Sequence, residues 1–226
     1  MEEDRKRWDL KYRERKFESS QGASAILKKY LRFFPGGKAL DLAAGEGRNA
    51  VFLAEHGFDV EAVDISKTAL NRVKKSGLSR GVRIKTVAAD LDTLVIPKEG
   101  YDLILDFYFL DRRLIPKIKR GLKKEGMVVF ETYTADQRDR AAGGPSETKY
   151  LLKPNELLRL FRGFHILFYR EGVFREGGKR RAIASLIAKK QVKGERQKVQ
   201  GARRTVHGIR PRAAGDVVKG RGSPAP

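Results

Sequence analysis

Two glycines and two acids in this chain are spaced for holding a nucleoside. The segment Asp41-Leu-Ala-Ala-Gly45-Glu-Gly47-Arg48-Asn49-Ala-Val-Phe is a glycine turn that leads directly into a helical pattern. Small residues at Ala43, Gly45 and Gly47 let a ligand approach the backbone closely. The free N–H groups of the helix start, at Arg48 and Asn49, suit a carboxylate or phosphate. Nineteen positions after Gly45 comes Asp64, closing an apolar run before Ile65, where an acid can accept both hydroxyls of a ribose. Two glycines alone would be weak evidence; the acid at that distance makes the pair much stronger.

The electrostatics choose between nucleoside ligands. Ala50 replaces the third glycine of a G-x-G-x-x-G pattern, which a dinucleotide site tolerates. However, Asp41, Glu46, Asp64, Asp90 and Asp106 all fall at expected strand ends or in the loops that follow, on one edge of a chain whose formal net charge is +21. Single aspartates there often only cap turns, but five acids on one edge would repel a pyrophosphate. They suit a ribose, an adenine, an ammonium and a positively charged sulfur, which describes S-adenosylmethionine, with its lone carboxylate at the helix start. Asp90-Leu91 is the expected adenine edge, and Asp106-Phe107 joins the rim by position.

The elements behind these residues alternate. Lys38–Ala43, Phe58–Val63, Val82–Val87, Tyr101–Phe107 and Gly126–Thr132 read as strands, and Val51–His56, Lys67–Lys75 and Leu114–Leu122 as helices between them. Alternation of this kind predicts a doubly wound α/β fold, a parallel sheet with helices on both faces and ligands beyond the carboxyl ends of the strands. Phe164–Tyr169 and Ala182–Ala188, joined through Gly177-Gly178, predict a closing antiparallel hairpin.

The ends differ from the body. Residues 1–18 carry 7 basic and 6 acidic residues around Trp8, Tyr12 and Phe17, an amphipathic helix that packs on the body or covers the ligand. The domain itself is expected over 19–189. From Lys189 onward there are 11 basic and 2 acidic residues and no apolar periodicity, so residues 190–226 read as a basic, disordered tail. Such a tail could contact nucleic acid non-specifically through phosphates, but it lacks interleaved aromatics. The chain has 226 residues and no cysteine, which excludes disulfides, thiolate metal sites and a cysteine nucleophile. No apolar run approaches the length of a membrane span and the start lacks a signal peptide's apolar core, so a cytoplasmic protein without membrane contact is expected.

Gly45-Glu-Gly-Arg-Asn-Ala-Val-Phe-Leu-Ala-Glu-His-Gly57-Phe-Asp-Val-Glu-Ala-Val-Asp64-Ile-Ser resembles the first two motifs of the class I S-adenosylmethionine-dependent methyltransferases, in detail their tellurite-resistance (TehB-like) branch. Trp8-Asp-Leu-Lys-Tyr12, Phe109-Leu-Asp-Arg112 and Lys153-Pro-Asn-Glu-Leu157 are similar too, so the likeness runs from about residue 8 to Lys189. It implies a Rossmann-like sheet of seven strands ending in the hairpin, and cofactor contacts at Asp41, Gly45, Gly47, Asp64 and Asp90. One departure is Ala43-Ala44, where relatives often carry Gly-Cys.

A sulfonium methyl is already activated, so such an enzyme mainly aligns acceptor, methyl and sulfur and excludes water. No dedicated base is required, and His56, His165 and His207 fall in a helix, a strand and the tail, without metal-ligand spacing. The acceptor side is expected from Trp8 and Tyr12, from Tyr108 and Arg112 after the fourth strand, from Tyr133 after the fifth, and from Arg180 and Arg181 of the hairpin. Arginines there suit an anionic acceptor. The glycine-containing stretch 134–150 is a further candidate loop over the pocket. A small-molecule acceptor, an oxyanion such as tellurite or a soft nucleophile, is the first reading. Its rivals are an RNA methyltransferase and a non-catalytic cofactor or nucleic-acid binder. Asp106-Phe-Tyr-Phe109 lacks the prolines usual where base amino groups are methylated, and the absent cysteine argues against pyrimidine carbon.

Overall fold

In a computed structural model, the chain is described over residues 2–14, 22–137, 143–145, 147–176 and 179–191. Seven strands, β1 (Lys38–Leu42), β2 (Asp59–Asp64), β3 (Lys85–Ala88), β4 (Tyr101–Phe107), β5 (Leu122–Tyr133), β6 (Phe164–Glu176) and β7 (Lys179–Lys190), form one sheet in the order β3-β2-β1-β4-β5-β7-β6. The pairs β1/β2, β2/β3, β1/β4 and β4/β5 are parallel, while β5/β7 and β6/β7 are antiparallel. The chain winds outward from β1 through β3, then crosses back to lay β4 against β1. That reversal opens a crevice beyond the carboxyl ends of β1 and β4.

Alternation along the strands loads both faces. Leu40, Leu42, Ile104, Val128 and Phe130 pack against helix α5 (Leu114–Gly121) and against Leu157 and Phe161, in and just after helix α6 (Glu156–Leu160). Ala39, Val60, Ala62, Leu103, Leu105 and Val129 pack under helices α2 (Ala25–Tyr30), α3 (Arg48–Glu55) and α4 (Lys67–Ser79), through Leu27, Leu53, Leu70 and Val73. A buried parallel sheet needs apolar residues on both faces, which is why its strands read as nearly continuous runs. Pro116 sits in the first turn of α5, where a missing N–H leaves no bond unmade.

Helix α1 (Glu2–Glu14) falls within the amphipathic segment expected at 1–18, with Trp8 and Tyr12 stacked at 5.8 Å between ring centroids; Phe17 lies outside the described residues. The third strand starts at Lys85 instead of Val82. Val82 N–H donates to Gly77 O at 3.0 Å and Ile84 packs over Gly77, so these residues terminate α4 before the strand begins. The hairpin strands are about twice as long as the apolar pattern indicates. β5 stops pairing at Tyr133 with Ile183, while β6 and β7 continue together to Glu176 with Lys179. The extension runs past Val173 and Phe174 into charged residues, Arg175, Glu176 and Lys179 to Arg181, where no apolar alternation marks a strand. The tail expected at 190–226 is outside the described residues except for Lys190 and Gln191, as are the turn 177–178 and residues 138–142 and 146 of the loop 134–150. That loop's start is anchored: buried Gln137 accepts Ala182 N–H at 2.7 Å. Among the described residues no helix is long and apolar enough to cross a membrane.

Candidate active site

The site grows from two turns at the crevice. Gly45 (φ +56°) and Gly47 (φ +76°) both lie in the left-handed region, so the chain can reverse after β1 and enter α3 with Gly47 as its N-cap. A Cβ on Gly47 would lie 2.7 Å from Val73 Cγ2 of α4, and one on Gly45 2.8 Å from the Tyr12 hydroxyl. The glycines therefore also permit close packing on both sides of the turn. Ala43 takes φ +51°, so an alanine is held here in the backbone conformation that glycine adopts most readily.

Asp64 closes β2 beside this turn. Its Oδ2 accepts Gly45 N–H at 2.8 Å and its Oδ1 accepts Ser66 N–H at 2.9 Å. Burial raises its carboxyl above the usual carboxylate range, and these two N–H groups pull it back. Asp41 and Asp106 lie on adjacent central strands, 2% and 1% exposed. Burial pushes Asp41 up to about 7 against the pull of Arg48, with Asp64 adding to the rise. Burial, then Asp41, pushes Asp106 well above the usual range. Asp41 Oδ2 and Asp106 Oδ1 are buried without a hydrogen-bond partner among the described residues. Buried carboxylates left partly unsatisfied are costly, which pushes both groups toward the protonated form, and a cationic ligand beside them would favour the ionised form. Asp90 turns its Oδ1 to Asp92 N–H at 2.9 Å and so shapes the loop after β3, with Leu91 buried beneath. Ile65 is half-buried behind Asp64, and Phe107 is buried at the end of β4. The Asn49 side chain turns inward, its Oδ1 accepting Ser24 N–H at 2.9 Å, while its backbone N–H lies at the start of α3.

Next to these acids, Tyr108, Tyr133, Arg48 and Arg181 converge. The Tyr108 ring lies 5.1 Å from Tyr133, with the Arg48 and Arg181 guanidinium carbons 5.8 and 5.4 Å from its centroid. Trp8 and Tyr12 approach from α1, which is tied down where Asp9 accepts Ser66 Oγ–H at 2.6 Å and Thr68 N–H at 3.0 Å. Two expected acceptor residues are not brought to this cluster. Arg112 gives its donors to Glu156 (2.7 and 2.9 Å) and to the carbonyls of Lys149 and Leu151 (2.6 and 3.0 Å), so it braces α6 and the loop before it. Arg180 is exposed, and alternation along β7 sends it to the face opposite Arg181. Sequence patterning alone misses Asp9 and the Glu131–Ser185–Arg170 cluster behind Tyr108. The Trp8-Asp-Leu-Lys-Tyr12 segment contains the first, but nothing local marks the second. Among the described residues no group of three or more His, Cys, Asp or Glu is placed to hold a metal ion.

Sheet order, hairpin and strand-end site together define a doubly wound α/β protein of the Rossmann-like methyltransferase fold. The solved structure of TehB from Haemophilus influenzae superposes with a TM-score of 0.65 at 21% identity, covering 76% of this chain and 64% of that one. An S-adenosylmethionine dependent methyltransferase from Mesorhizobium loti gives 0.58 at 21% identity, over 74% and 98%. The family profile of the tellurite resistance protein TehB matches residues 7–181, and the chain belongs to that family. A curated relative, the probable S-adenosyl-L-methionine-dependent methyltransferase TehB of Haemophilus influenzae, is 26% identical over 140 residues, 60% of this chain and 49% of that one. The chain thus spans about half the length of the curated relatives it matches.

Proposed function

We propose that this chain is an S-adenosylmethionine-dependent methyltransferase acting on a small anionic or soft acceptor, an oxyanion such as tellurite or a thiolate. The observation that carries this reading is the set of buried acids, Asp41, Asp64 and Asp106, around a left-handed glycine turn. Membership of the TehB family and the name of the curated relative support it. When bound, the cofactor supplies a methyl group already activated by a positive sulfur.

The chain's own residues bind, orient and exclude water. Asp64 accepts the Gly45 N–H on one oxygen and the Ser66 N–H on the other, and the remaining lone pairs are the acceptors for ribose hydroxyls. Asp41 and Asp106 offer carboxylate oxygens to a cationic donor, and the α3 start beyond Gly47 offers N–H groups to a carboxylate. Arg48 and Arg181 meet negative charge on the acceptor, and the Tyr108 and Tyr133 rings form its apolar wall. Helix α1, through Trp8 and Tyr12, covers the turn and sheds water.

A second reading, transfer to RNA, draws on the exposed Arg175, Lys179 and Arg180 of the β6–β7 ribbon. Calorimetry with S-adenosylmethionine and S-adenosylhomocysteine, then labelled methyl transfer to tellurite, selenite, a thiol and RNA, tests both. Heat with both nucleosides and label on a small acceptor is expected. Label on RNA alone would favour the second reading, and the absence of heat would overturn the assignment.

A further inference from the structure

Tyr108 holds φ at +61°, a left-handed conformation that a bulky residue adopts only under constraint. One residue on the next strand holds it at two points, while Arg181 also acts on the hydroxyl. The Glu131 carbonyl accepts Tyr108 N–H at 2.7 Å, and Glu131 Oε1 accepts the Tyr108 hydroxyl at 3.0 Å. Backbone and side chain of the tyrosine are thus gripped by the same residue.

Glu131 is itself 1% exposed. Its Oε2 accepts Ser185 Oγ–H at 2.7 Å and Arg170 Nη2–H at 3.3 Å, and Arg170 Nε donates to Ser185 Oγ at 3.1 Å. The three lie in a row because Glu131 is in register with Ser185, and Ser185 with Arg170. A buried ion pair gives a sheet little stability that a well-packed apolar residue would not give as well. What the ion adds here is a fixed acceptor for a phenol at the carboxyl edge of the sheet. Burial, and then the charge of Glu131, raise the Tyr108 phenol above its ordinary range. It therefore keeps its proton at neutral pH, donates to Glu131 and is no general base.

The ring held in this way sits between the two halves of the site. Arg48, at the start of α3, where its charge also acts on Asp41, and Arg181 of β7 both bring a guanidinium close to the ring centroid, at 5.8 and 5.4 Å. We propose, resting on the methyltransferase reading above, that Glu131 is a positioning residue for methyl transfer: by gripping Tyr108 at both ends, it fixes the ring beside which the Arg48 and Arg181 guanidiniums meet an anionic acceptor.

The test uses the full chain, S-adenosylhomocysteine calorimetry as the measure of donor binding, and selenite and 4-nitrothiophenolate as acceptor probes. Glu131→Gln keeps the side-chain shape without the charge, and Tyr108→Phe removes only the hydroxyl. Each is expected to raise the acceptor KM at least tenfold, with a smaller change in kcat and a donor Kd within twofold of wild type. The double variant should be no worse than the more impaired single, because both act through one contact. Should Glu131→Gln fail to fold, Tyr108→Phe alone decides. An unchanged KM in folded variants overturns the proposal, as does a parallel loss of donor binding, which would mark a purely structural role. Wild-type protein that binds S-adenosylhomocysteine yet methylates neither probe overturns the anionic seat. No heat with S-adenosylhomocysteine at all sinks the methyltransferase reading itself.

Discussion

Asp64 Oδ2 accepts the Gly45 N–H at 2.8 Å, so the acid that closes β2 also fixes the glycine turn that follows β1. One carboxylate thereby links two elements that are 19 residues apart in sequence. The same group is the expected ribose acceptor, which makes loop geometry and ligand recognition inseparable at this position.

Asp64→Ala should therefore weaken donor binding at least tenfold, since a hydrogen bond to a charged acceptor contributes about 1.5–3 kcal/mol. It should also lower the unfolding free energy, because the Gly45 and Ser66 N–H groups lose their partner. Asp64→Asn keeps one acceptor oxygen and should fall between. Calorimetric titration and a denaturant melt on the same samples check both effects. Wild-type affinity in Asp64→Ala would remove the ribose role from this residue.

Ala43 gives a second, purely conformational prediction. A left-handed non-glycine residue costs roughly 1–2 kcal/mol, and glycine returns about 0.4–1 kcal/mol of that through unfolded-chain entropy. At φ +51°, Ala43→Gly should stabilise the chain slightly, by up to about 1 kcal/mol. Ala43→Val should destabilise it clearly, because a branched Cβ suits this region least. Urea melts of the three proteins give the ranking directly, and a loss of stability in Ala43→Gly would contradict it.

These two positions show what the sequence reveals and what it withholds. Gly45, Gly47 and Asp64 are legible because residue type and local spacing encode what each one does, whether positive φ, close approach or an acid at a strand end. The parallel strands are legible because burial on both faces demands continuous apolar runs. Glu131 is not, because its meaning depends on the register of β5 against β7 and of β7 against β6, which no local pattern fixes. Arg112 is hard to place for the same reason. Its partner Glu156 is 44 residues away, and a guanidinium near the crevice looks identical in sequence whether it faces a ligand or a carboxylate. The ribbon of β6 and β7 ends in charged residues, Arg175, Glu176 and Lys179 to Arg181, so hydrophobic patterning stops short of the strands' ends.

Helix α1 supplies the third prediction. Asp9 holds it to the start of α4 through Ser66 and Thr68, and the Tyr12 hydroxyl rests against Gly45. Asp9→Ala removes two hydrogen bonds to one carboxylate, each contributing about 1 kcal/mol or more. Amide exchange in α1 should then speed up at least tenfold while β1 and β4 keep their protection, since local opening and global unfolding are separate events. Dissociation of S-adenosylhomocysteine, followed by stopped flow, should quicken in the same variant. Faster exchange without faster dissociation would make α1 a packing element and not a cover.

The last prediction concerns pH and rests on Asp41, whose carboxyl is pushed up to about 7, first by burial. In the free protein the folded state holds this proton more tightly than the unfolded chain does. The contribution to stability is thus fully present below the unfolded value of about 4 and is lost as pH rises to about 7. Relative to Asp41→Asn, which cannot ionise, the wild-type melting temperature should fall between about pH 4 and pH 7 and level off above that. Donor binding runs the other way. A cationic ligand beside Asp41 favours the carboxylate, so binding expels a proton and affinity should rise with pH through about 7, then level off. Titrations of S-adenosylmethionine near neutral pH in phosphate and in Tris, buffers of very different ionisation enthalpy, would show this as a difference in observed heat. Asp41→Asn should abolish most of that difference and flatten the affinity profile. Equal heats in both buffers for the wild type would mean that Asp41 does not change its charge when the donor binds.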